Sequence, residues 1–378
     1  CKAVVLPDSG ISSMIYYLDV SFPIQLISLW ADPDHGILKQ GVFSPNPLLK
    51  HSPLIGAKRD LSSVSAKTVV DAIFPWKPLA QCLKTSVKAA LQKPLAKTGV
   101  VILAGGQGSR LGVKGPKGLF PVLNKTLFEW VCEKVPVSTP VAIMTSPFNH
   151  AETLSFFDKR HHFGKEISFF SQSLLPLLNE KKEPTGMLGP DGNGGVFKEL
   201  VRSGTLEKFE EQGVQVVSIV PIENPLADPL DPCFLSYLES GDADLIVKCI
   251  EEREADPGMG ALVEREGRLE IVEYTELDCS RSYRYRYAGM MACALELVKR
   301  LSKIELPLHW VWKKSQGRFV WKGERFLFDA CPFARHAVAV CFPREEIYAP
   351  LKSTENLYSV EKILRGKESA DRVPSSVI

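Results

Sequence analysis

The chain has 378 residues, of which 45% are hydrophobic and 24% are charged. This composition is typical of a globular protein with a sizeable core, and the length predicts a main domain with smaller additions. The formal net charge of +2 is too small to indicate the concentrated basic face with which a protein binds nucleic acid.

The start of the sequence carries neither a clear membrane span nor a secretory signal. The most apolar early stretch, residues 11–30, contains Asp19 and Pro23, so it lacks the run of about 20 apolar residues that a membrane helix needs. No basic region precedes it, as a secretory signal would require. The nine cysteines contain no C-x-x-C pair, which favours reduced thiols in a cytoplasmic protein over a disulfide framework or a zinc site.

Residues 1–95 differ in composition from the rest of the chain. They are rich in proline and serine, and an apolar pattern over residues 69–91 indicates a helix that Pro75 and Pro78 interrupt. We therefore expect an N-terminal helical appendage over residues 1–95.

Short apolar runs begin to alternate with longer segments at Gly99. Residues 100–103 form a continuous apolar run that stops near two glycines, which is typical of a buried parallel strand entering a loop. Comparable runs predict further strands at residues 141–144, 167–170, 214–220, 244–249, 260–263, 269–274 and 325–329. This alternation predicts an α/β fold. We expect a catalytic domain over residues 96–342 and a small C-terminal extension over residues 343–378.

A glycine-rich segment, L-A-G-G-Q-G-S-R-L-G at residues 103–112, includes the end of the first predicted strand. Glycines permit positive φ angles and close approach, so that successive backbone N–H groups can converge on phosphate oxygens. Arg110 and Lys117 add two positive charges. The spacing matches neither the loop of nucleoside triphosphatases nor the dinucleotide-binding fingerprint. The segment predicts a phosphate-binding loop of another class, and a tight turn without a ligand is the alternative.

Several short motifs together carry a resemblance to a known family. They are, in chain order, L-A-G-G-Q-G-S-R-L-G with G-P-K-G at residues 103–118, I-M-T-S at 143–146, F-F-S-Q at 169–172, P-D-G-N-G-G at 190–195, V-E-Y-T-E at 272–276, Lys322 with F-L-F-D at 326–329, and P-L-K at 350–352. The series resembles the eukaryotic-type UDP-sugar pyrophosphorylases (UDPGP type 1), and within them most closely the UDP-N-acetylglucosamine pyrophosphorylases. It covers roughly residues 98–355.

The resemblance implies a Rossmann-like, mixed-sheet nucleotidyltransferase domain of the glycosyltransferase-A-like type. It implies that UTP reacts with a sugar 1-phosphate, N-acetylglucosamine 1-phosphate first, to give a UDP-sugar and pyrophosphate, with Mg²⁺ as cofactor. The attacking phosphate oxygen is already an anion, so cations and positioning rather than a general base supply the acceleration. No nucleic acid or membrane partner is expected, and the oligomeric state stays open.

The resemblance also implies roles for individual residues. Arg110, Lys117 and Lys322 match the cations that hold and neutralise the reacting phosphates. The residues implied for nucleotide binding are Leu103, Ala104, Gly105, Gly106, Gly108, Gln172, Gly192 and Asn193.

Two positions depart from the family pattern. Glu223 stands where the family usually has the aspartate of V-D-N, and it remains the candidate Mg²⁺ ligand because this ion prefers hard oxygen ligands beside phosphates. Asp228 is the second candidate. Glu273 and Gly289 are implied for the sugar, but the family's N-A-G-N element reads Y-A-G-M at residues 287–290. Because hydrogen-bonding pockets discriminate best, losing two amides weakens the expected preference for an N-acetyl group.

Three alternatives therefore stay open at this point. The first is a UTP-glucose-1-phosphate uridylyltransferase, which the changed sugar element favours. The second is a catalytically inactive, UTP-binding regulatory homologue, against which the retained cationic residues argue. The third is a nucleotidyltransferase that uses ATP or GTP, because uracil is implied by the resemblance alone.

Overall fold

The structure, a computed structural model, describes residues 3–7, 24–29, 49–54, 77–80, 83–84, 97–252, 258–278, 280–315 and 317–371. The chain divides into two compact units. The first comprises residues 1–77 with 264–267, and the second comprises residues 78–263 with 268–378.

The strands that the structure describes are numbered here in chain order. They are Ala3–Pro7 (β1), Ile24–Leu29 (β2), Leu49–Leu54 (β3), Lys77–Pro78 (β4), Leu83–Lys84 (β5), Thr98–Leu103 (β6), Pro121–Val122 (β7), Lys125–Thr126 (β8), Val141–Thr145 (β9), Ile167–Ser171 (β10), Leu174–Leu178 (β11), Pro184–Pro190 (β12), Val216–Pro221 (β13), Leu245–Glu251 (β14), Ala261–Arg265 (β15), Arg268–Val272 (β16), Tyr285–Ala294 (β17), His309–Ser315 (β18), Arg318–Glu324 (β19) and Ala337–Phe342 (β20).

The helices of the described residues are short, except for the last one. The α-helices are Leu127–Cys132 (α1), His150–Asp158 (α2), Val196–Arg202 (α3), Thr205–Glu211 (α4), Pro232–Glu239 (α5), Leu295–Leu301 (α6), Arg344–Ile347 (α7) and Leu357–Asp371 (α8). Single 3₁₀ turns lie at Ser109–Leu111, Lys117–Leu119, His161–Gly164, Asn193–Gly195, Tyr274–Glu276, Leu327–Phe333 and Thr354–Asn356. Within the described part of the chain, no helix combines the length and the apolar character needed to cross a bilayer.

A mixed sheet forms the centre of the second unit, with the strand order β10-β9-β6-β13-β17-β14-β20-β5. Neighbouring strands are parallel from β10 to β13, whereas β17 runs antiparallel to both β13 and β14. Strands β14, β20 and β5 are parallel again. The predicted α/β fold with a mixed sheet is therefore confirmed. The first five predicted strands correspond to β6, β9, β10, β13 and β14, and the next two correspond to β15 and β16.

Both faces of the central sheet are buried. In β6, Val100 and Ile102 join one hydrophobic cluster, whereas Val101 and Leu103 join the other. A strand that is covered on both faces reads as a continuous apolar run, which explains why β6 was visible in the sequence. The first cluster also contains Val360 from α8, so the residues beyond β20 pack into the same core as the sheet.

Parallel strands bring distant parts of the sequence to one edge of this sheet. Strands β10, β9, β6 and β13 are adjacent and parallel, so their carboxyl ends meet at that edge. Ligands of α/β proteins bind at such edges, in the crevice outside the strand ends. The loops that leave these strands begin at Gln172, Ser146, Ala104 and Ile222, respectively.

A second, antiparallel sheet of four strands has the order β12-β11-β19-β18. Its hairpin β18–β19 pairs His309 with Glu324 and Ser315 with Arg318. Alternate residues face opposite sides of such a hairpin. Accordingly, Trp310 is exposed, whereas Val320 is only 1% exposed. The sequence analysis did not predict this hairpin.

The helix predicted within residues 69–91 is wrong for the residues that the structure describes. Lys77–Pro78 and Leu83–Lys84 are short strands, and β1, β2 and β3 form a parallel sheet in the first unit. Pro78 lacks the N–H group that a helix interior requires, which favours the extended form. The other parts of 69–91, residues 69–76, 81–82 and 85–91, lie outside the described residues.

The strand predicted at residues 325–329 is also wrong. The chain leaves β19 and forms the 3₁₀ turn Leu327–Phe333, at whose start Phe326 N donates to Asp329 Oδ2 at 3.4 Å. Short apolar runs do not distinguish a strand from a buried helical turn. The local bond to Asp329 favours the turn here.

Candidate active site

A cleft of about 1340 Å³ lies at the carboxyl edge of the parallel strands. Its walls come from the glycine-rich loop after β6, the ends of β9 and β10, the loop after β12 and the hairpin β18–β19. Glu223, which follows β13, Glu273, which follows β16, and Lys352 also line it. The volume exceeds that of a typical small-molecule site, which leaves room for two substrates together.

The glycine-rich loop is held in shape by its own backbone and by one buried side chain. Gly108 N donates to Gly115 O at 2.9 Å, and Lys117 N donates to Gly106 O at 3.0 Å. Asn149, which is 2% exposed, donates from Nδ2 to Ala104 O at 2.9 Å. The loop is thus fixed before a ligand arrives, which lowers the entropic cost of binding.

Gln172 lies directly against this loop. A Cβ atom on Gly105 would lie only 2.6 Å from Gln172 Oε1, so glycine is needed there for the close approach. Gln172 is 7% exposed, and its backbone N donates to Thr145 O at 2.9 Å. Its amide is therefore placed at the wall of the cleft, where it can read a hydrogen-bonding edge of a base.

Lys117 and Glu223 form an ion pair behind the loop. Lys117 is 7% exposed, and its Nζ donates to Glu223 Oε2 at 2.7 Å. Burial alone would raise the pKa of the Glu223 carboxyl, but the charge and hydrogen bond of Lys117 outweigh burial and lower that pKa. The exposed guanidinium of Arg110 and the ammonium of Lys352 act in the same direction. Glu223 therefore stays ionised at the wall of the cleft.

The segment P-D-G-N-G-G at residues 190–195 is locked onto the chain that follows β19. Arg325 N donates to Asp191 O at 2.7 Å, and Gly194 N donates to Arg325 O at 2.9 Å. Gly192 has φ +96°, and a Cβ there would lie 2.3 Å from Arg325 O. Asn193 Oδ1 accepts from Leu327 N at 2.8 Å, so only its amide nitrogen remains to donate to a ligand.

The inner face of the hairpin β18–β19 delivers positive charge to the cleft. Lys322 Nζ donates to Glu324 Oε1 at 2.8 Å, and Lys313 Nζ donates to Glu324 Oε2 at 2.7 Å. A Cβ on Gly189 of β12 would lie 3.4 Å from Lys322 Cε, so this glycine leaves space for the lysine stem. Each of these four residues lines the cleft.

A smaller cavity of about 210 Å³ shares Glu223, Glu273 and Lys352 with the cleft. Burial raises the pKa of the Glu273 carboxyl, although the charges of His309 and Lys352 oppose this rise. Lys352 Nζ donates to Gly258 O at 3.1 Å. This cavity thus offers two carboxyl groups, of Glu223 and Glu273, and the ammonium group of Lys352, a combination that suits sugar hydroxyls next to a phosphate.

The family model described as UTP--glucose-1-phosphate uridylyltransferase matches residues 59–371. The chain belongs to this uridylyltransferase family. UDP-N-acetylglucosamine diphosphorylases 2 and 1 of Arabidopsis thaliana are 32% and 31% identical to it over 343 and 342 residues. These alignments cover 78% of this chain and 66% of each relative, so the chain spans about two thirds of their length.

Solved structures of the family share the fold. The uridine diphosphate N-acetylglucosamine pyrophosphorylase from Trypanosoma brucei, solved in complex with an inhibitor, superposes with a TM-score of 0.68 at 24% identity. The match covers 79% of this chain and 76% of that one. The uridylyltransferase-family fold is therefore established for this chain by both sequence and structure.

Most of the residues that the sequence predicted for the uridylyltransferase site meet in the structure. Those that line the cleft are Gly105, Gly106, Arg110, Gln172, Gly192, Asn193, Glu223, Glu273 and Lys322. Gly289, which has φ +81°, borders the smaller cavity.

Five predicted residues lie elsewhere. Leu103 and Ala104 are buried at the end of β6, and Gly108 is buried within the loop. Lys117 reaches the site only through Glu223. Asp228 borders neither cavity as the described residues define them, and its Oδ1 accepts from Leu230 N at 3.0 Å in a local turn.

Four charged residues that line the cleft were missed as individual candidates. Lys313, Lys314 and Glu324 lie in the hairpin, where the apolar runs W-V-W at 310–312 and F-V-W at 319–321 were the available signal. Lys352 belongs to the quoted motif P-L-K, whose lysine is a further cation of the cleft. A short apolar run with charged neighbours does not show by itself which of those charges face a cleft.

The charge and the position of Glu223 fit the binding of a Mg²⁺ ion. Mg²⁺ is usually bound by one or two carboxylates together with substrate phosphates and water. Glu223 supplies an ionised carboxylate at the wall of a cleft that also contains Arg110 and Lys322. No cluster of three or more His, Cys, Asp or Glu side chains that could hold a metal exists among the described residues.

Proposed function

We propose that the protein transfers the uridylyl group of UTP to a sugar 1-phosphate and releases pyrophosphate. N-acetylglucosamine 1-phosphate is the first substrate to test, because the relatives' names refer to UDP-N-acetylglucosamine. One observation carries the proposal: Arg110, Lys322 and Lys352 reach a single cleft between two glycine-containing loops. Polyanionic substrates require such a concentration of cations and backbone N–H groups.

The charge of the reacting groups explains why this cleft needs no general base. A sugar-phosphate oxygen, already anionic, attacks the α-phosphorus of UTP in line while pyrophosphate leaves. Lys322 and Arg110 lower the repulsion between the two anions and stabilise the charge that gathers on the reacting phosphates. Gln172 and the N–H groups near Gly192 orient the base, and Glu273 accepts hydrogen bonds from the sugar.

Magnesium is part of the proposal. Glu223 would hold the ion, since its ionised carboxylate borders the cleft and its charge is balanced by Lys117 at 2.7 Å. When bound, Mg²⁺ would supply positive charge that offsets the negative charge of the substrate phosphates. The other candidate, Asp228, accepts a hydrogen bond from Leu230 N in a local turn.

A cytoplasmic location is also proposed. Among the described residues, Cys132, Cys233, Cys293 and Cys331 are free thiols. Reduced cysteines are typical of proteins that work in a reducing compartment.

Glucose 1-phosphate is the second candidate substrate. Tyr287, in place of an asparagine of the family element, borders the smaller cavity and packs its ring against Phe328 at 6.0 Å. Burial raises the pKa of the Tyr287 phenol well above its usual value, so the group stays neutral. A wall with an aromatic ring instead of an amide does not require an N-acetyl group.

The proposal is tested by pyrophosphate release from UTP and Mg²⁺ with a panel of sugar 1-phosphates. The panel comprises the N-acetylglucosamine, glucose and galactose forms, with ATP and GTP as controls for the base. We expect release with UTP and the N-acetylglucosamine form. A preference for glucose 1-phosphate would move the substrate assignment to the second candidate. No release with any sugar, from protein that still binds UTP, would replace the proposal with a regulatory role.

A further inference from the structure

The hairpin β18–β19 places two lysines around one carboxylate at the wall of the cleft. Residues 309, 311 and 313 of β18 share a face with residues 320, 322 and 324 of β19, because the register pairs 309 with 324 and 311 with 322. Lys313 and Lys322 are therefore diagonal neighbours on that face. Both ammonium groups donate to Glu324, one to each carboxylate oxygen, at 2.7 and 2.8 Å.

Glu324 is ionised in this arrangement. Burial alone would raise the pKa of its carboxyl, but the charge of Lys322 and the hydrogen bond and charge of Lys313 outweigh burial and lower that pKa. The side chain of Glu324 is 19% exposed, and that of Lys322 is 13% exposed. A negative charge at this depth repels phosphate, so a cleft for polyanions retains it only at a cost in binding.

The position of Glu324 between the two lysines explains why a carboxylate is kept in the cleft although it repels phosphate. Without the carboxylate, the ammonium groups of Lys313 and Lys322 would repel each other. Their long side chains would then no longer point to the same place. The trio keeps one net positive charge and points both donors along the hairpin's inner face. Lys314, the next residue, pairs with Phe319 on the other face of the hairpin and also lines the cleft, but it shares no hydrogen bond with Glu324 among those of the described residues.

We propose that Lys313 is a second phosphate-binding residue of the cleft, and that Glu324 is the positioning residue that holds Lys313 and Lys322 ready for phosphate. The proposal rests on the proposed function and extends it by naming how the cations are kept in place. Phosphate oxygens replace the carboxylate oxygens as acceptors of the lysine protons. The phosphate belongs either to the nucleotide and its pyrophosphate or to the sugar 1-phosphate.

The first test removes the charge of Lys313 and measures binding directly. The affinities of the Lys313→Met variant for UTP, inorganic pyrophosphate and N-acetylglucosamine 1-phosphate are determined by calorimetry. Loss of a charge-assisted hydrogen bond predicts binding about ten-fold weaker for at least one of these ligands. The weakened ligand identifies which phosphate Lys313 binds. Affinities that all stay within about two-fold of the wild type would overturn the assignment.

The matched control is a paired lysine that lies away from the cleft. Lys299 of α6 donates to Glu296 at 2.8 Å, and it lines no part of the cleft as described. The Lys299→Met variant should bind the three ligands with the affinity of the wild type. It corrects for any general effect of losing one positive charge.

The second test addresses Glu324 through a double-mutant cycle. The Glu324→Gln variant should lower kcat about ten-fold, because Lys322 loses its anchor. In the Lys313→Met, Lys322→Ala background, where neither lysine remains to be held, the same substitution should change kcat by less than about two-fold. A loss of about ten-fold in that background as well would contradict this role. The Glu324→Asp variant keeps a carboxylate and should recover part of kcat, whereas a merely structural defect would persist.

The two proposals can fail separately. Calorimetry needs no turnover, so weaker phosphate binding by Lys313→Met supports the paired lysines even if the wild type releases no pyrophosphate. In that case the proposed uridylyl transfer is wrong, but Lys313 is still a phosphate-binding residue. Normal turnover with unchanged affinities in Lys313→Met would instead overturn the assignment of Lys313 and leave the reaction intact.

Discussion

Two lysines at the candidate site lie beside carboxylates. Lys117 donates to Glu223 at 2.7 Å behind the glycine-rich loop, and Lys322 donates to Glu324 at 2.8 Å at the wall of the cleft. An opposite charge at this distance offsets part of the repulsion between positive side chains that lie close together.

Lys322 is the residue whose removal should affect turnover most. Its ammonium group stabilises charge that develops on phosphate in the transition state, so Lys322→Ala should lower kcat by about 100-fold or more. The affinity for UTP should change by only a few-fold, because other groups bind the base and the ground-state phosphates. Steady-state kinetics with calorimetry for UTP checks the prediction. An equal loss from Lys299→Ala would remove Lys322 from its role.

Asp191 should make the stability of the protein depend on pH. It is 4% exposed, and burial raises the pKa of its carboxyl to about 6, although the charge of Arg325 opposes the shift. In the unfolded chain the carboxyl titrates near its usual value of 3.8. The folded protein therefore binds one proton more between these values, and this group lowers stability as pH rises from about 4 to about 6.

The Asp191→Asn variant tests this dependence. Because one pKa unit corresponds to about 1.4 kcal/mol, the wild type should lose up to about 3 kcal/mol more than the variant across this window. Urea denaturation at the two ends of the window measures the difference. Asp158→Asn serves as the control, since the side chain of Asp158 is 67% exposed. Parallel pH profiles of wild type and Asp191→Asn would contradict the prediction.

At the scale of elements, β19 links the loop at residues 190–195, which we propose binds the base, to Lys322, which we propose binds phosphate. The strand carries Lys322, and the next residue after its end, Arg325, is bonded through its backbone to Asp191 and Gly194. A shift of the loop at residues 190–195 therefore moves the chain that bears the lysine. This linkage makes the backbone at Gly192 a sensitive position.

The Gly192→Ala variant tests the linkage. Its Cβ would lie 2.3 Å from Arg325 O at φ +96°, so the loop must move away from the end of β19. We expect UTP to bind about ten-fold more weakly, which calorimetry measures. Gly241→Ala is the matched control, because Gly241 has φ +77° and no atom within 4 Å of an added Cβ. If both variants bind UTP equally well, Gly192 does not belong to the base site.

The pattern of apolar residues along the chain determined which strands and turns could be predicted from the sequence. The strands of the central sheet are covered on both faces, so β6 and β9 contain continuous apolar runs, and β14 is apolar except for Lys248 and its last residue. The hairpin β18–β19 was missed because its apolar runs, W-V-W and F-V-W, are only three residues long and have charged or polar neighbours, and Trp310 and Trp312 are exposed. The turn at Leu327–Phe333 depends on a bond between Phe326 and Asp329, which the apolar pattern does not show.

At the scale of the whole molecule, the topology explains how separate motifs form one site. The glycine-rich loop, Gln172 and Glu223 follow adjacent parallel strands, so their meeting could be predicted from strand order. The burial of Lys117 behind the loop could not, because its partner Glu223 is 106 positions away. Only the tertiary structure shows that Lys117 lies behind the loop rather than in the wall of the cleft.

Residues beyond β20 belong to the same compact unit as the sheet. Val360 and Leu364 of α8 are each 2% exposed and lie in the core cluster, whereas the sequence predicted a small extension from residue 343. The loop before α8 also delivers Lys352 to the cleft. The C-terminal segment thus contributes both to the core and to the candidate site.

The most direct test of uridylyl transfer follows the α-phosphorus of UTP. The protein is incubated with Mg²⁺, N-acetylglucosamine 1-phosphate and UTP labelled at that atom, and the products are separated. Uridylyl transfer predicts that the label appears in UDP-N-acetylglucosamine, with one unlabelled pyrophosphate released for each molecule formed. Label that stays in UTP, or that appears in UMP or UDP without a sugar, would contradict uridylyl transfer to this sugar phosphate.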